Sequence, residues 1–433
     1  GENKASLRTR YAQAGSIVAK DGVILAQSED GQRQYAEDIY VQLGTSQLVG
    51  DYTHHMSNTI ETQYQGEILG NKRGITEQLL LDLAGRGLQG DDVHLTVQGD
   101  LSSLAYQELE PYDAGALVLM NYKTGEILAS VSTPATEMSN IIRYEDIPDT
   151  ALFNRALNSA YQPASTFKVF TSAAWLTSPN FQPDFTLECS GEPLYPGGAR
   201  DKGHGLMDLN EAFAASCNVY FGELANKMGE EYFSEFLNNL GLDKIDSLDR
   251  LDVRPARYDI SAGKNDAGLL SWAGAGQPVG NLIAEETPLH LALVASAVAG
   301  HGDYPEPYVV EKIVNPLQRE TRVHKADKAS MKRMFAPELA IRLEQLMIHG
   351  VESSESVQYN AAIPGVKVAG KSGTLERENV ESYQKTGLWM GFLAEPNYPF
   401  AVAVVIENVE TSNETAVVAG RNMLQYAMDY GIQ

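Results

Sequence analysis

Hydrophobic and polar positions along this chain form two textures that meet near Pro111. Up to about residue 90 the chain is polar and broken by glycine, with short extended stretches such as GSIVAKDGVILAQ (15–27). There Asp21-Gly22 suits a tight turn between two strands. VHLTV (93–97) alternates like a strand, and DLSSLAYQELE (100–110) starts a helix at Asp100 with Leu101, Leu104 and Ala105 on one face. Beyond Pro111, GALVLMNYKTGEILASVS (115–132) predicts two buried strands joined at NYKTG. LWMGFLAEPNYPFAVAVVIEN (388–408) predicts a second hairpin, and AGRNMLQYAMDYG (419–431) a terminal amphipathic helix. Helical patterns fill most of the space between the hairpins. Strands at both ends with helices in the middle predict an α+β domain with a largely antiparallel sheet flanked by helices, preceded by a small, mostly β module.

A length of 433 residues favours two or three domains, and the patterns divide it into 1–112 and 113–433. A formal charge of −24 with no basic run argues against a nucleic-acid partner. The most apolar window, TPLHLALVASAVAG (287–300), is interrupted by His290 and is shorter than a membrane-spanning helix needs. The opening GENKASLRTR lacks the apolar segment of a signal peptide, which leaves a cytoplasmic protein or one whose anchor lies outside this chain. Cys189 and Cys217 are compatible with a disulfide or with two reduced thiols.

Gly365, Gly370, Lys371 and Ser372 satisfy the spacing of a phosphate-binding loop. Such a loop must turn from strand into helix so that its amides converge on the anion. Here Val366 and Val368 alternate with polar or small residues into Gly370, and the polar LERENVESYQKTG (375–387) follows, which reads as a loop. The phosphate-loop reading is therefore set aside, and Lys371 is placed at a strand end.

Two further motifs belong with that lysine. Ser165 and Lys168 in YQPASTFKVFTSAAWL (161–176) stand three apart at the start of an apolar helix, so the amine lies on the same face as the hydroxyl. Serine needs a base at neutral pH, which a lysine supplies when burial or other cations hold it neutral. Amides and the positive dipole end at a helix N-terminus also favour a developing oxyanion. Ser216-Cys217-Asn218 lies between two helical patterns. Each motif alone is common; their order and settings together are not.

The set resembles the penicillin-binding proteins and serine β-lactamases. NRALNSAYQPASTFKVF (154–170) is similar to the nucleophile region of class B penicillin-binding proteins. GHGLMDLNEAFAASCNVYF (203–221), GAGQPVGNLIAEETPLHLALVASAVAG (274–300) and the blocks from VAGKSGTLE (368–376) to the second hairpin resemble its later regions. AGSIVAKDGVILAQS (14–28) and VHLTVQGDLSSLAYQEL (93–109) resemble its pedestal module and the link that follows. Three positions depart from the family pattern: Ala164 where glycine is common, Ser372 where threonine is commoner, and Ala14 where the pedestal often has arginine.

The resemblance implies a peptidoglycan D,D-transpeptidase on a pedestal (1–112) and transpeptidase (113–433) plan. In it Ser165 attacks the penultimate carbonyl of a stem peptide ending in D-Ala-D-Ala, Lys168 takes the proton, and Ser216 passes it to the leaving D-alanine. Asn218, Lys371, Ser372, Gly373 and Thr374 bind substrate, and the amides of Ser165 and Thr374 form the oxyanion hole. β-Lactams acylate the same serine, no metal or cofactor is implied, and the expected partner is a membrane glycosyltransferase of the cell-wall machinery. The expected location is the extracytoplasmic face of the bacterial cytoplasmic membrane, anchored by an N-terminal helix outside this chain. A D,D-carboxypeptidase, a serine β-lactamase and a non-enzymatic β-lactam sensor are the alternatives. Cys217 reads as a small buried hydrophobe, or, with Asp201 and His204 of ARDKGHG (199–205), as a zinc ligand. His54-His55 reads as a solvated pair and Trp389 as core.

Overall fold

The computed structural model describes residues 4–138, 145–324, 330–379, 382–409 and 414–431. Its centre is a five-stranded antiparallel sheet in the order Val368–Asn379, Ser382–Leu393, Phe400–Val409, Ala114–Asn121, Ile127–Thr133. Both predicted hairpins are present, and they meet where Phe400–Val409 pairs with Ala114–Asn121. Every residue of Ala114–Asn121 is buried. The sheet separates two cores, because successive strand side chains point to opposite faces. Ala116, Val118 and Met120 join one core with the helix Pro288–Ala299; Leu117 and Leu119 join the other with the helices Gly99–Leu109 and Glu414–Asp429. A strand covered on both faces reads as a continuous apolar run, as GALVLM does.

One extended region differs from its sequence reading. The polar segment after Lys371 is not a loop: strand Val368–Asn379 runs through the motif and beyond it, paired with Ser382–Leu393 down to Asn379↔Ser382. The third strand's pairing ends at Lys385↔Val409, so the tip is a two-stranded ribbon. Backbone pairing holds such a ribbon without an apolar face, which is why the hydrophobic pattern does not reveal it. Lys371 is accordingly within a strand, not at its end.

The N-terminal segment contains the predicted turn, with Gly22 at φ 85° and Ile17–Val18 paired antiparallel to Ile24–Glu29. Helices Ile39–Val49 and Ile75–Leu83 also lie here, where the pattern suggested mainly strands. The sheet of this segment has six strands, in the order Glu320–Val323, Val310–Val314, Asp92–Leu95, Ile17–Val18, Ile24–Glu29, Gln32–Tyr35. Two of them thus come from some 200 residues later in the chain. Arg33 and Glu61 form an ion pair of 2.7 Å with no exposed side-chain surface, and Arg33 Nη1 donates to Gly15 O at 2.7 Å.

Among the described residues no helix is long and apolar enough to cross a membrane. The window around His290 is the helix Pro288–Ala299, whose first turn is capped by Thr287 with His290 as reciprocal partner. His54 and His55 are engaged with protein, not a solvated pair: His54 Nε2 meets Tyr11 Oη at 2.8 Å, and His55 Nδ1 meets Asp51 Oδ2 at 3.2 Å. Trp389 is fully buried in the second core.

Candidate active site

The site forms where the nucleophile turn, the segment between two helices and the edge strand of the central sheet converge. Ala164–Phe167 is a 3-10 turn leading into the helix Lys168–Thr177, so Ser165 sits at a helix start with its side chain three residues from Lys168. Lys168 Nζ is 2.9 Å from Ser165 Oγ, 2.6 Å from Ser216 O, 3.2 Å from Ser216 Oγ and 2.7 Å from Asn218 Oδ1. Ser216 ends the helix Leu209–Ala215 in a left-handed conformation (φ 57°), and Asn218 opens the helix Asn218–Met228. That break turns the Ser216 carbonyl and hydroxyl toward the lysine.

Lys371 comes from the facing strand, with Nζ 3.1 Å from Ser216 Oγ and 3.1 Å from Ser372 O. Ser216 Oγ therefore bridges two lysines. Both lysines are fully buried. Burial lowers the Lys168 pKa to about 8, against an opposing pull from Asp201 and Cys217. Burial and then the charge of Lys168 push Lys371 well below the usual lysine range. Two ammonium groups on one hydroxyl in a dry site repel, so one lysine is readily held neutral.

Gly373 packs against the nucleophile turn: a Cβ there would lie 3.0 Å from Pro163 O, 3.1 Å from Ala164 Cβ and 3.1 Å from Ser165 N. This contact brings the strand backbone at Gly373 and Thr374 beside the Ser165 amide. Gln277, 97 residues from Thr374, donates from Nε2 to Thr374 O at 3.3 Å and was not singled out by sequence, which carries no local signal for so distant a contact. All the residues expected at the site, Ser165, Lys168, Ser216, Asn218, Lys371, Ser372, Gly373 and Thr374, thus belong to three adjoining segments.

Behind the central motif, Cys217 Sγ lies 3.4 Å from Cys189 Sγ, and Cys189 Sγ lies 3.5 Å from His204 Nδ1. Both cysteines are free thiols, and burial pushes Cys217 up to about 12. Among the described residues these three are the one group of donors gathered closely enough to hold a metal ion, within 4.8 Å of one another. Cys189 enters this group, while Asp201, expected there from sequence, turns its Oδ2 to the Asn218 amide at 2.8 Å.

Residues 115–425 match the penicillin binding protein transpeptidase domain, and the chain belongs to that family. Among its relatives is the peptidoglycan D,D-transpeptidase PbpA of Mycobacterium tuberculosis, 27% identical over 98% of this chain and 91% of that protein. The fold is similar to that of the D,D-transpeptidase domain of a peptidoglycan glycosyltransferase from Eggerthella lenta, with a TM-score of 0.80, 25% identity and coverage of 97% of this chain and 99% of that one. It is equally similar to M. tuberculosis penicillin-binding protein A in its penicillin G acyl-enzyme complex: TM-score 0.80, 25% identity, 96% of this chain and 99% of that one.

Proposed function

We propose that this chain is a peptidoglycan D,D-transpeptidase that works through an acyl-enzyme on Ser165. The observation that carries the reading is the 2.9 Å approach of a fully buried Lys168 amine to Ser165 Oγ. A neutral lysine amine has two hydrogens and one lone pair. The carbonyl oxygens of Ser216 and Asn218 take the hydrogens, which leaves the lone pair for the Ser165 hydroxyl proton.

As that proton passes to Lys168, Ser165 Oγ bonds to the penultimate D-alanine carbonyl, and the oxyanion is held by the amides of Ser165 and Thr374. Collapse breaks the bond to the terminal D-alanine, whose nitrogen receives the Ser216 hydroxyl proton while Lys168 returns its own to Ser216. An acceptor amine then attacks the ester, gives up its proton to the same base, and leaves Ser165 reprotonated. Lys371 and Ser372 suit the terminal carboxylate, Asn218 suits a backbone amide of the stem peptide, and Gly373 leaves room beside the strand.

The relatives' printed names support the substrate class. The same reading places the enzyme outside the cytoplasm, anchored to the membrane and acting beside a glycosyltransferase. It divides the chain into a pedestal, 1–112, and a transpeptidase domain, 113–433, with 310–323 lending two strands to the pedestal sheet.

Intact-mass spectrometry after exposure to benzylpenicillin tests it: one adduct on Ser165, none on Ser165→Ala, and an acyl-enzyme lasting minutes or longer. General-base activation of water contributes on the order of 10²–10⁴ in rate. Penicillin turnover at tens per second would therefore make the protein a β-lactamase, and an adduct on Ser165→Ala would overturn the nucleophile.

A further inference from the structure

We propose that Asp201 is a positioning residue for the reaction, its carboxylate holding the Asn218 amide and thereby the aim of Ser216 and Asn218 at Lys168. The inference rests on the transpeptidase reading and adds a residue outside its three motifs.

Asp201 lies in the loop that joins the paired strands Leu187–Cys189 and Gly205–Met207. The loop is braced from within: Asp201 N donates to Gly191 O at 3.0 Å, and His204 N to Cys189 O at 2.9 Å. Both carboxylate oxygens are used, Oδ1 by the Lys202 amide at 2.8 Å and Oδ2 by the Asn218 amide at 2.8 Å. The neighbouring carbonyl, Arg200 O, accepts from Asn218 Nδ2 at 3.2 Å. The loop therefore takes both the main-chain and the side-chain N–H of Asn218. With Nδ2 so engaged, Oδ1 is the end of the side-chain amide left for Lys168, and it is found there at 2.7 Å.

The segment needs such a brace. Ser216 has a left-handed backbone (φ 57°), a conformation that is strained in a residue other than glycine. The helix that follows is capped by the Cys217 sulfur, which accepts from Tyr220 N at 3.4 Å and is a weak acceptor. A carboxylate on the first-turn amide supplies the charge complement that the thiol lacks. The lone pair of Lys168 is aimed by where its two hydrogens go, so a shift of Ser216 O or Asn218 Oδ1 would turn it away from Ser165.

The carboxylate also acts by charge. The groups facing Lys168 are Asp201 and His204 of the loop, Cys217 of the central motif and Lys371 of the strand. Asp201 favours the ammonium form, against burial. Removing its charge therefore lowers the Lys168 pKa, and the acid limb of any reaction that needs the neutral amine moves to lower pH.

The test compares wild type, Asp201→Asn, Asp201→Glu and Asp201→Ala. Acylation by a fluorescent penicillin is followed across pH, and the Lys168 side chain is titrated by NMR of ¹³Cε-lysine, assigned with Lys168→Arg. Asp201→Asn keeps an acceptor for the Asn218 amide, so its plateau rate should fall less than about tenfold. Its acid limb and its Lys168 titration should both move down by roughly half a pH unit or more. Asp201→Ala should lose about ten- to a hundredfold at the plateau, and Asp201→Glu should restore part of it. A merely structural role would lower the rate equally at every pH and leave the Lys168 titration in place, and that result overturns the proposal. Because the NMR titration needs no substrate, an unacylated wild type would sink the transpeptidase reading, while an unmoved Lys168 in Asp201→Asn would sink this one.

Discussion

Ala164 occupies a left-handed backbone (φ 50°) immediately before the candidate nucleophile, and it is fully buried. Sequence alone marks it as a departure, since glycine is common there in the family; the structure supplies the reason, because glycine adopts this conformation without steric cost. The opposing terms are close. Relieving the conformation returns about 1–2 kcal/mol, and the freer unfolded chain of a glycine takes back roughly 0.5–1. Ala164→Gly should therefore raise stability, by no more than about 1.5 kcal/mol, with Ser165 acylation unchanged; calorimetric melting checks it. A lower Tm would mean that contacts of the buried methyl group outweigh the backbone strain. The spacing of Ser165 and Lys168 is equally legible in the sequence, being set by helix geometry, but their burial is not, and burial is what lowers the lysine pKa.

At the scale of elements, strand Val368–Asn379 carries its motif across the mouth of the nucleophile turn. The atoms that a Gly373 side chain would meet are a main-chain carbonyl, a main-chain amide and a Cβ, all within 3.1 Å and none able to swing aside. Gly373→Ala should therefore push strand and turn apart by a few tenths of an ångström and slow penicillin acylation by on the order of ten- to a hundredfold. The protein should still fold, because the ladder with Ser382–Leu393 is untouched. Stopped-flow acylation with a circular-dichroism control decides it; unchanged kinetics would mean that the backbone opens freely at this point. The phosphate-loop spacing of Gly365, Gly370, Lys371 and Ser372 dissolves on the same element, since no helix follows Ser372 and the motif runs on as an edge strand paired with Ser382–Leu393.

Across the whole molecule, the N-terminal sheet is completed by a segment from far down the chain. Val310–Val314 pairs with Asp92–Leu95, and Val310 and Ile313 are buried against it. Other ties cross the same boundary: Arg250 Nη2 meets Glu67 at 2.6 Å, and Gln47 Nε2 donates to Pro134 O and Ala151 O at 2.9 Å each. Residues 113–433 expressed alone should therefore melt well below the full chain and bind an apolar dye, because removing the first 112 residues strips the paired edge from Val310–Val314. Thermal melts of the two proteins test this; equal melting temperatures would show that the later domain holds these strands without their partner.

The amino-acid sequence by itself determined the central hairpins, the buried strands, the three motifs and their order. Each is written in local spacing: alternation for strands, three-residue separation on a helix, turn residues between. Tertiary structure alone decided which distant groups share a boundary. It aimed Asp201 at Asn218 and Gln277 at Thr374, set Cys189 beside Cys217, and gave the N-terminal sheet its two late strands. It also carried the polar ribbon beyond Lys371 in strand form. These outcomes depend on backbone hydrogen bonds and on single polar contacts across long separations, and neither leaves a periodic trace in the chain.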